Sequence, residues 1–119
     1  MTQRDLDPEG DLALPEVITR YQEAHDRRDT PVALSSFGSN ARVVDDGHEY
    51  CGTADISGWL DHAASEYTFT RSLLKTESID INTWIVINRL EGNFPGGVVD
   101  LRYRFVLTSD LISELAIAP

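Results

Sequence analysis

The stretch "VVDLRYRFVL", residues 98–107, decides how the rest of the chain is read. Val99, Leu101, Tyr103, Phe105 and Leu107 alternate with Asp100, Arg102 and Arg104, the period-2 pattern of a strand with one buried face. A phenol sits at the centre of the apolar row. Inside a filled core its hydroxyl needs a partner; in the wall of a pocket it becomes a donor. Outward from this strand the same pattern predicts strands over about 67–76, 79–91, 98–108 and 111–117. Gly92, Pro95, Gly96 and Gly97 break the second from the third, and Ser109-Asp110 breaks the third from the fourth. In "TWIVINRL", Trp84, Val86 and Leu90 point one way, Ile85 and Ile87 the other. Helices cover one side of such a sheet. The apolar residues on the other, convex side predict a homodimer, or alternatively termini folded over that face.

The first half reads as helices around a hairpin. Residues 1–11 are polar and acidic and form a flexible arm; residues 12–119 form a single domain. Leu14, Val17, Ile18, Tyr21 and Ala24 make one helical stripe behind Pro15. Thr30-Pro31 resembles a cap and first turn, starting a short helix that ends near Phe37-Gly38. "ARVVDDGHEYCG" predicts two strands joined at Asp46-Gly47. Thr53 is a candidate cap for a third helix with Ile56, Trp59, Leu60 and Ala63 inward. Helices interleaved with a hairpin, then an antiparallel meander, define an α+β domain.

The chain has 119 residues, 41% hydrophobic and 25% charged, with a formal net charge of −10. That charge argues against nucleic acid as a partner, since phosphate binding needs clustered Lys and Arg, and against anionic membranes. It fits a neutral or cationic ligand, or mere solubility. The single Cys51 excludes an internal disulfide and fits a reducing, cytoplasmic setting; its own expected role is a small buried hydrophobe. "MTQRDLDPEGD" has no apolar signal-peptide core, and no segment is apolar for the length of a bilayer. His25, His48 and His62 show no ligand spacing, so neither metal nor other cofactor is expected.

The order helix, helix, hairpin, helix and four long strands resembles the nuclear transport factor 2-like superfamily. The resemblance runs from about Leu12 to Pro119 and is carried by "RYQEAHDRRD", "ARVVDDG", "YCGTADISGWL" and "EGNFPGGVVDLRYRFVLTSDLISEL". The Gly-x-Phe-Pro-Gly turn, with Ile112 and Leu115, looks like the SnoaL-like branch. It implies a cystatin-like cone: a curved, mixed but largely antiparallel sheet wrapped around a helix, leaving an apolar pocket. Function does not follow from the fold, because the superfamily holds isomerases, cyclases, dehydratases, epoxide hydrolases and non-catalytic adaptors.

Within the superfamily the sharpest resemblance is to ketosteroid isomerase, which has an Arg-Tyr pair late in its first helix and a general-base Asp 24 residues after that Tyr. Arg20-Tyr21 and Asp45 repeat that spacing. The resemblance implies Tyr21 as oxyanion donor and Asp45 as base. A carboxylate in an apolar cone loses hydration and becomes a stronger base, and a buried phenol then stabilises the enolate. The isomerase's second oxyanion partner is a protonated acid; here alignment puts Tyr103 in its place. Asp100 lies on the opposite face of that strand. Val17, Val43, His48, Trp59, Phe69, Leu101 and Phe105 are the candidate pocket lining. Each has a plainer reading: Tyr21 as a core aromatic, Asp45 as a turn residue, Tyr103 bonded to Tyr21 in a filled core, His48 exposed at the turn, and the aromatics as core filling. Asp100 and Arg102 lie outward, so the inward Arg and two Asp of the superfamily's epoxide hydrolases are not evident. The function expected is binding of a small, mostly apolar molecule, with isomerase- or cyclase-type proton transfer by Asp45, Tyr21 and Tyr103. The alternative is an accessory domain with a filled cone.

Overall fold

The computed structural model describes residues 14–119; the arm expected over residues 1–11 lies outside the described residues. The elements are α1 (Glu16–Asp26), α2 (Thr30–Ser35), β1 (Phe37–Asp45), β2 (His48–Cys51), α3 (Gly52–Glu66), β3 (Phe69–Asp80), β4 (Thr83–Gly92), β5 (Val98–Thr108) and β6 (Leu111–Ala118). The six strands form one sheet in the order β2-β1-β6-β5-β4-β3. All neighbours are antiparallel except β1 and β6, so the sheet is mixed and the fold class is α+β.

Local chemistry explains the joints. Asp46 (φ 54°) and Gly47 (φ 78°) turn the β1–β2 hairpin, and Ser109 (φ 53°) and Asp110 (φ 64°) turn β5 into β6, both with two successive positive φ values. The β3–β4 turn falls later than the expected break at 77–78. The Asp80 carboxylate accepts from the Asn82 N–H at 2.8 Å, an Asx-type turn that leaves Ile81 89% exposed at its tip. Two caps also move. Asp29, not Thr30, caps α2 by accepting from Val32 N–H at 3.3 Å, with Pro31 in the first turn. Cys51, not Thr53, occupies the N-cap of α3, and Asp55 reaches back to its N–H at 3.3 Å. Cys51 is exposed rather than buried, because it lies on β2, an edge strand of the sheet.

The core lies between the three helices and the inner sheet face. Ile18, Val43, Ile56, Leu60, Val86, Phe105, Ile112 and Leu115 pack there. The inward row of β4 is Trp84, Val86, Asn88 and Leu90. Ile85 faces outward yet is only 3% exposed, with the long side chains of Glu77 and Arg104 as its cross-strand neighbours. Arg104 and Arg42 both hold Glu114, at 3.1 and 3.2 Å, lacing this outer face with charge. The β3–β4 register is irregular at Leu73/Lys75 and Ser78/Asp80, the kind of irregularity that bends a strand. No helix among the described residues is long and apolar enough to cross a membrane.

Candidate functional site

Alternation along β1 puts Val43 and Asp45 on the inner face, Val43 deep and Asp45 at the strand's end. Helical spacing puts Tyr21 and His25 one turn apart on the buried side of α1. The inner row of β5 brings Leu101, Tyr103 and Phe105 opposite them. These elements, with the last turns of α3 and the start of β3, enclose a cavity of about 140 Å³. Tyr21, Asp45 and Tyr103 all line it, together with Trp59, Phe69 and Leu101.

Other expected lining residues lie elsewhere. Val17 and Val43 are buried in the core, and Phe105 is a spacer. It meets Tyr21 edge-on at 5.9 Å between centroids and stacks on Tyr103 at 6.2 Å, fixing the separation of the two phenol rings. His48 stands opposite Asp45 across the hairpin but is exposed, beyond the cover of the helices. The deep end of the cone is packed, and the cavity lies toward its mouth.

Polar groups in the wall have defined partners. Trp59 Nε1 donates to Asp45 Oδ2 at 3.0 Å, which fixes one oxygen of a carboxylate that lines the cavity. Tyr21 is 2% exposed, and its hydroxyl makes no hydrogen bond with a described residue. Burial pushes its pKa well above the ordinary phenol value, with Tyr103 and Asp45 adding to the rise. Burial likewise pushes Tyr103 up to about 12. Both phenols are therefore held as hydrogen-bond donors. Burial lowers the pKa of His25, which packs between Trp59 (6.5 Å) and Phe69 (6.2 Å) as a neutral imidazole.

A second polar group was not anticipated. Asn88, fully buried on β4, donates to Gln22 Oε1 at 2.7 Å and accepts from Arg71 Nη1 at 3.1 Å. Arg71 also grips Asp26 through Nε and Nη2 at 2.9 and 2.8 Å. Gln22, Asp26 and Arg71 line the cavity, as do Glu66 and Tyr67. An Arg and two Asp thus do face inward, but they are Arg71, Asp26 and Asp45, and Asp45 bonds Trp59 rather than the guanidinium. Asp100 pairs with Arg89 on the outer face, at 2.8 Å. The one legible signal was Asn88 itself, an amide at an inward position of an otherwise apolar strand. No group of three or more His, Cys, Asp or Glu side chains suited to a metal occurs among the described residues.

Comparison of the sequence with protein-family models and with curated proteins yields no match. Solved structures do match. A Sinorhizobium meliloti protein provisionally assigned as a polyketide cyclase is similar at 27% identity and TM-score 0.84, over 90% of this chain and 97% of that one. A Catenulispora acidiphila protein with a ketosteroid isomerase-like fold, in complex with trimethylamine, is similar at 16% identity and TM-score 0.78, over 88% and 85%. A Mycobacterium tuberculosis protein in complex with estradiol-17β-hemisuccinate is similar at 14% identity and TM-score 0.74, over 87% and 91%. The chain has the nuclear transport factor 2-like fold, shared with these polyketide cyclase-like and ketosteroid isomerase-like structures.

Proposed function

We propose that the cavity binds a small, mostly apolar carbonyl compound and that Asp45 moves a proton at the carbon beside the carbonyl. The observation carrying this reading is that Asp45, Tyr21 and Tyr103 line one cavity of about 140 Å³. The complexes of two structural neighbours with small molecules support ligand binding in this kind of cone. The chemistry balances without a cofactor. An Asp45 oxygen takes the proton, the C–H electron pair becomes the new carbon–carbon double bond, the carbonyl π pair moves onto oxygen, and the Tyr21 and Tyr103 hydroxyls donate to that oxygen. Return of the proton from Asp45 to the same or a conjugated carbon completes exchange or isomerisation.

Size narrows the ligand. A cavity near 150 Å³ takes about one six-membered ring. A four-ring steroid would leave most of its body in the mouth. The test is a set of one-ring ketones and enones in heavy water, with α-proton exchange followed by NMR. The protein should accelerate exchange, and Asp45→Asn should abolish the acceleration while staying folded. Tyr21→Phe should slow it about a hundredfold, the cost of one oxyanion donor. Acceleration that survives Asp45→Asn removes Asp45 from the mechanism.

We also propose that two copies pair through the outer sheet face. Val44, Ile87, Val106 and Ala116 stay half-exposed there, among charges of both signs from Lys75, Glu77, Arg102 and Glu114 that permit a self-complementary contact.

A further inference from the structure

The charged groups of the cavity do not cancel. Asp26, Asp45, Glu66 and Arg71 line it. Arg71 is held by Asp26 and Asn88: Nε and Nη2 donate to the two oxygens of Asp26, and Nη1 donates to Asn88 Oδ1 at 3.1 Å. That bidentate pair is neutral as a unit. Asp45 is partnered by Trp59 Nε1, an uncharged donor. Glu66, at the end of α3, has His62 one turn back at 3.5 Å, a histidine 73% exposed. Within the wall, His25 is kept neutral by burial and Tyr21 and Tyr103 are kept protonated. Arg28 lies 5.9 Å from the Phe69 centroid, donating to the carbonyls of Ala64 and Tyr67, and is not part of the lining. Among the described residues, neither Asp45 nor Glu66 is paired with a Lys or Arg side chain. The rest of the wall is largely aromatic: Tyr21, Trp59, Tyr67, Phe69 and Tyr103. Ring faces and carboxylates attract the same kind of guest, an organic cation, and repel carboxylates and phosphates.

We infer that the cavity selects a cationic ligand: a one-ring-sized organic ammonium whose charged end meets Glu66 at the mouth and whose body lies among Trp59, Phe69 and Tyr103. The inference rests on the reading of the cavity as a small-molecule site, but not on catalysis by Asp45. It deepens that reading by assigning the ligand's charge.

Three probes of one shape and different charge test it: cyclohexylammonium, cyclohexanol and cyclohexanecarboxylate, titrated into the protein by NMR. Low salt and about pH 8.5 are suitable, where an ordinary imidazole is neutral. The ammonium should bind about tenfold tighter than the alcohol, and the carboxylate more weakly than either. About 0.5 M salt should narrow the spread. Glu66→Gln should cut the ammonium's advantage about fivefold and leave the alcohol unchanged. This variant keeps the fold, since a negative charge at a helix C-terminus is not stabilising. A carboxylate that binds as well as the alcohol overturns the inference, as does an ammonium-to-alcohol ratio indifferent to Glu66→Gln. Equal binding of all three ends the charge selection and leaves the small-molecule site standing. Binding by none ends both.

Discussion

Asn88→Leu is the substitution that most directly tests how the cavity wall is held. The two side chains have similar volume, so no cavity forms, and leucine is at home on an inward row between Val86 and Leu90. On hydrophobic grounds alone the change should be neutral or favourable. The hydrogen bonds say otherwise. Gln22 Oε1, in a residue 4% exposed, loses its 2.7 Å donor, and Arg71 Nη1 loses its 3.1 Å acceptor. An unsatisfied buried polar group costs about 1–3 kcal/mol. The Gln22 loss is the fuller one, because Arg71 keeps Asp26. Against a gain of about 1 kcal/mol for the apolar surface, the net loss is about 2 kcal/mol. For a domain of this size that is a fall in Tm of about 6–10 °C. Chemical denaturation should show a lower midpoint with an unchanged slope. Gln22→Leu combined with Asn88→Leu should recover most of the loss, since removing both partners is nearly neutral. If Asn88→Leu is as stable as the parent, or the double variant is worse than either single one, the buried amide pair is not what holds α1 against β4.

Gly92→Ala should cost about 3 kcal/mol and disturb ligand binding, because an added Cβ would lie 2.2 Å from the Thr68 carbonyl oxygen and 2.6 Å from Cβ of Phe69, a cavity residue; a Tm equal to the parent's would refute the close approach of β3 and β4 there. His25 has a folded pKa below its unfolded value of about 6.5, so the unfolded chain binds more protons under acid conditions. Stability should therefore fall as the pH drops below about 6.5, and His25→Gln should flatten that dependence in a series of denaturant melts. Tyr103 runs the other way. Its pKa of about 12 exceeds the unfolded phenol's value of about 10, so stability is lost as the pH rises from about 10 through 12, and Tyr103→Phe should remove part of that alkaline slope. For the proposed pairing of copies, Ile87→Lys should convert a dimer to a monomer in sedimentation velocity without unfolding it; a parent chain already monomeric at high concentration would end that proposal.

How far the sequence carried depended on the range of each interaction. The period-2 row of β5, the helical stripe of α1 and the Asp46-Gly47 turn are local, and each was legible because neighbouring residues alone determine it. The spacing from Tyr21 to Asp45 was legible only through resemblance to a family. That a cavity lies between them depends on Phe105, Val43 and Val17 filling the deep end of the cone, which alternation cannot distinguish from lining the open end. The β3–β4 turn was misplaced because Asp80 closes it with a side chain, a bond that hydrophobic patterning does not register. Arg71 and Asp26 lie 45 residues apart and meet only in the folded chain. Nothing local in either announces the other.

In the proposed reading, the size, charge and chemistry of a guest are governed from different parts of the fold. Phe105 separates Tyr21 from Tyr103 and packs behind them, so core residues would set the size of the guest. Its charge would be set at the other end, by Glu66 on α3 and by the Asp26–Arg71 pair. The proposed base, Asp45, sits between, fixed by Trp59. These three choices lie on different elements: β5, α3 with α1, and β1. Each can change without rebuilding the others.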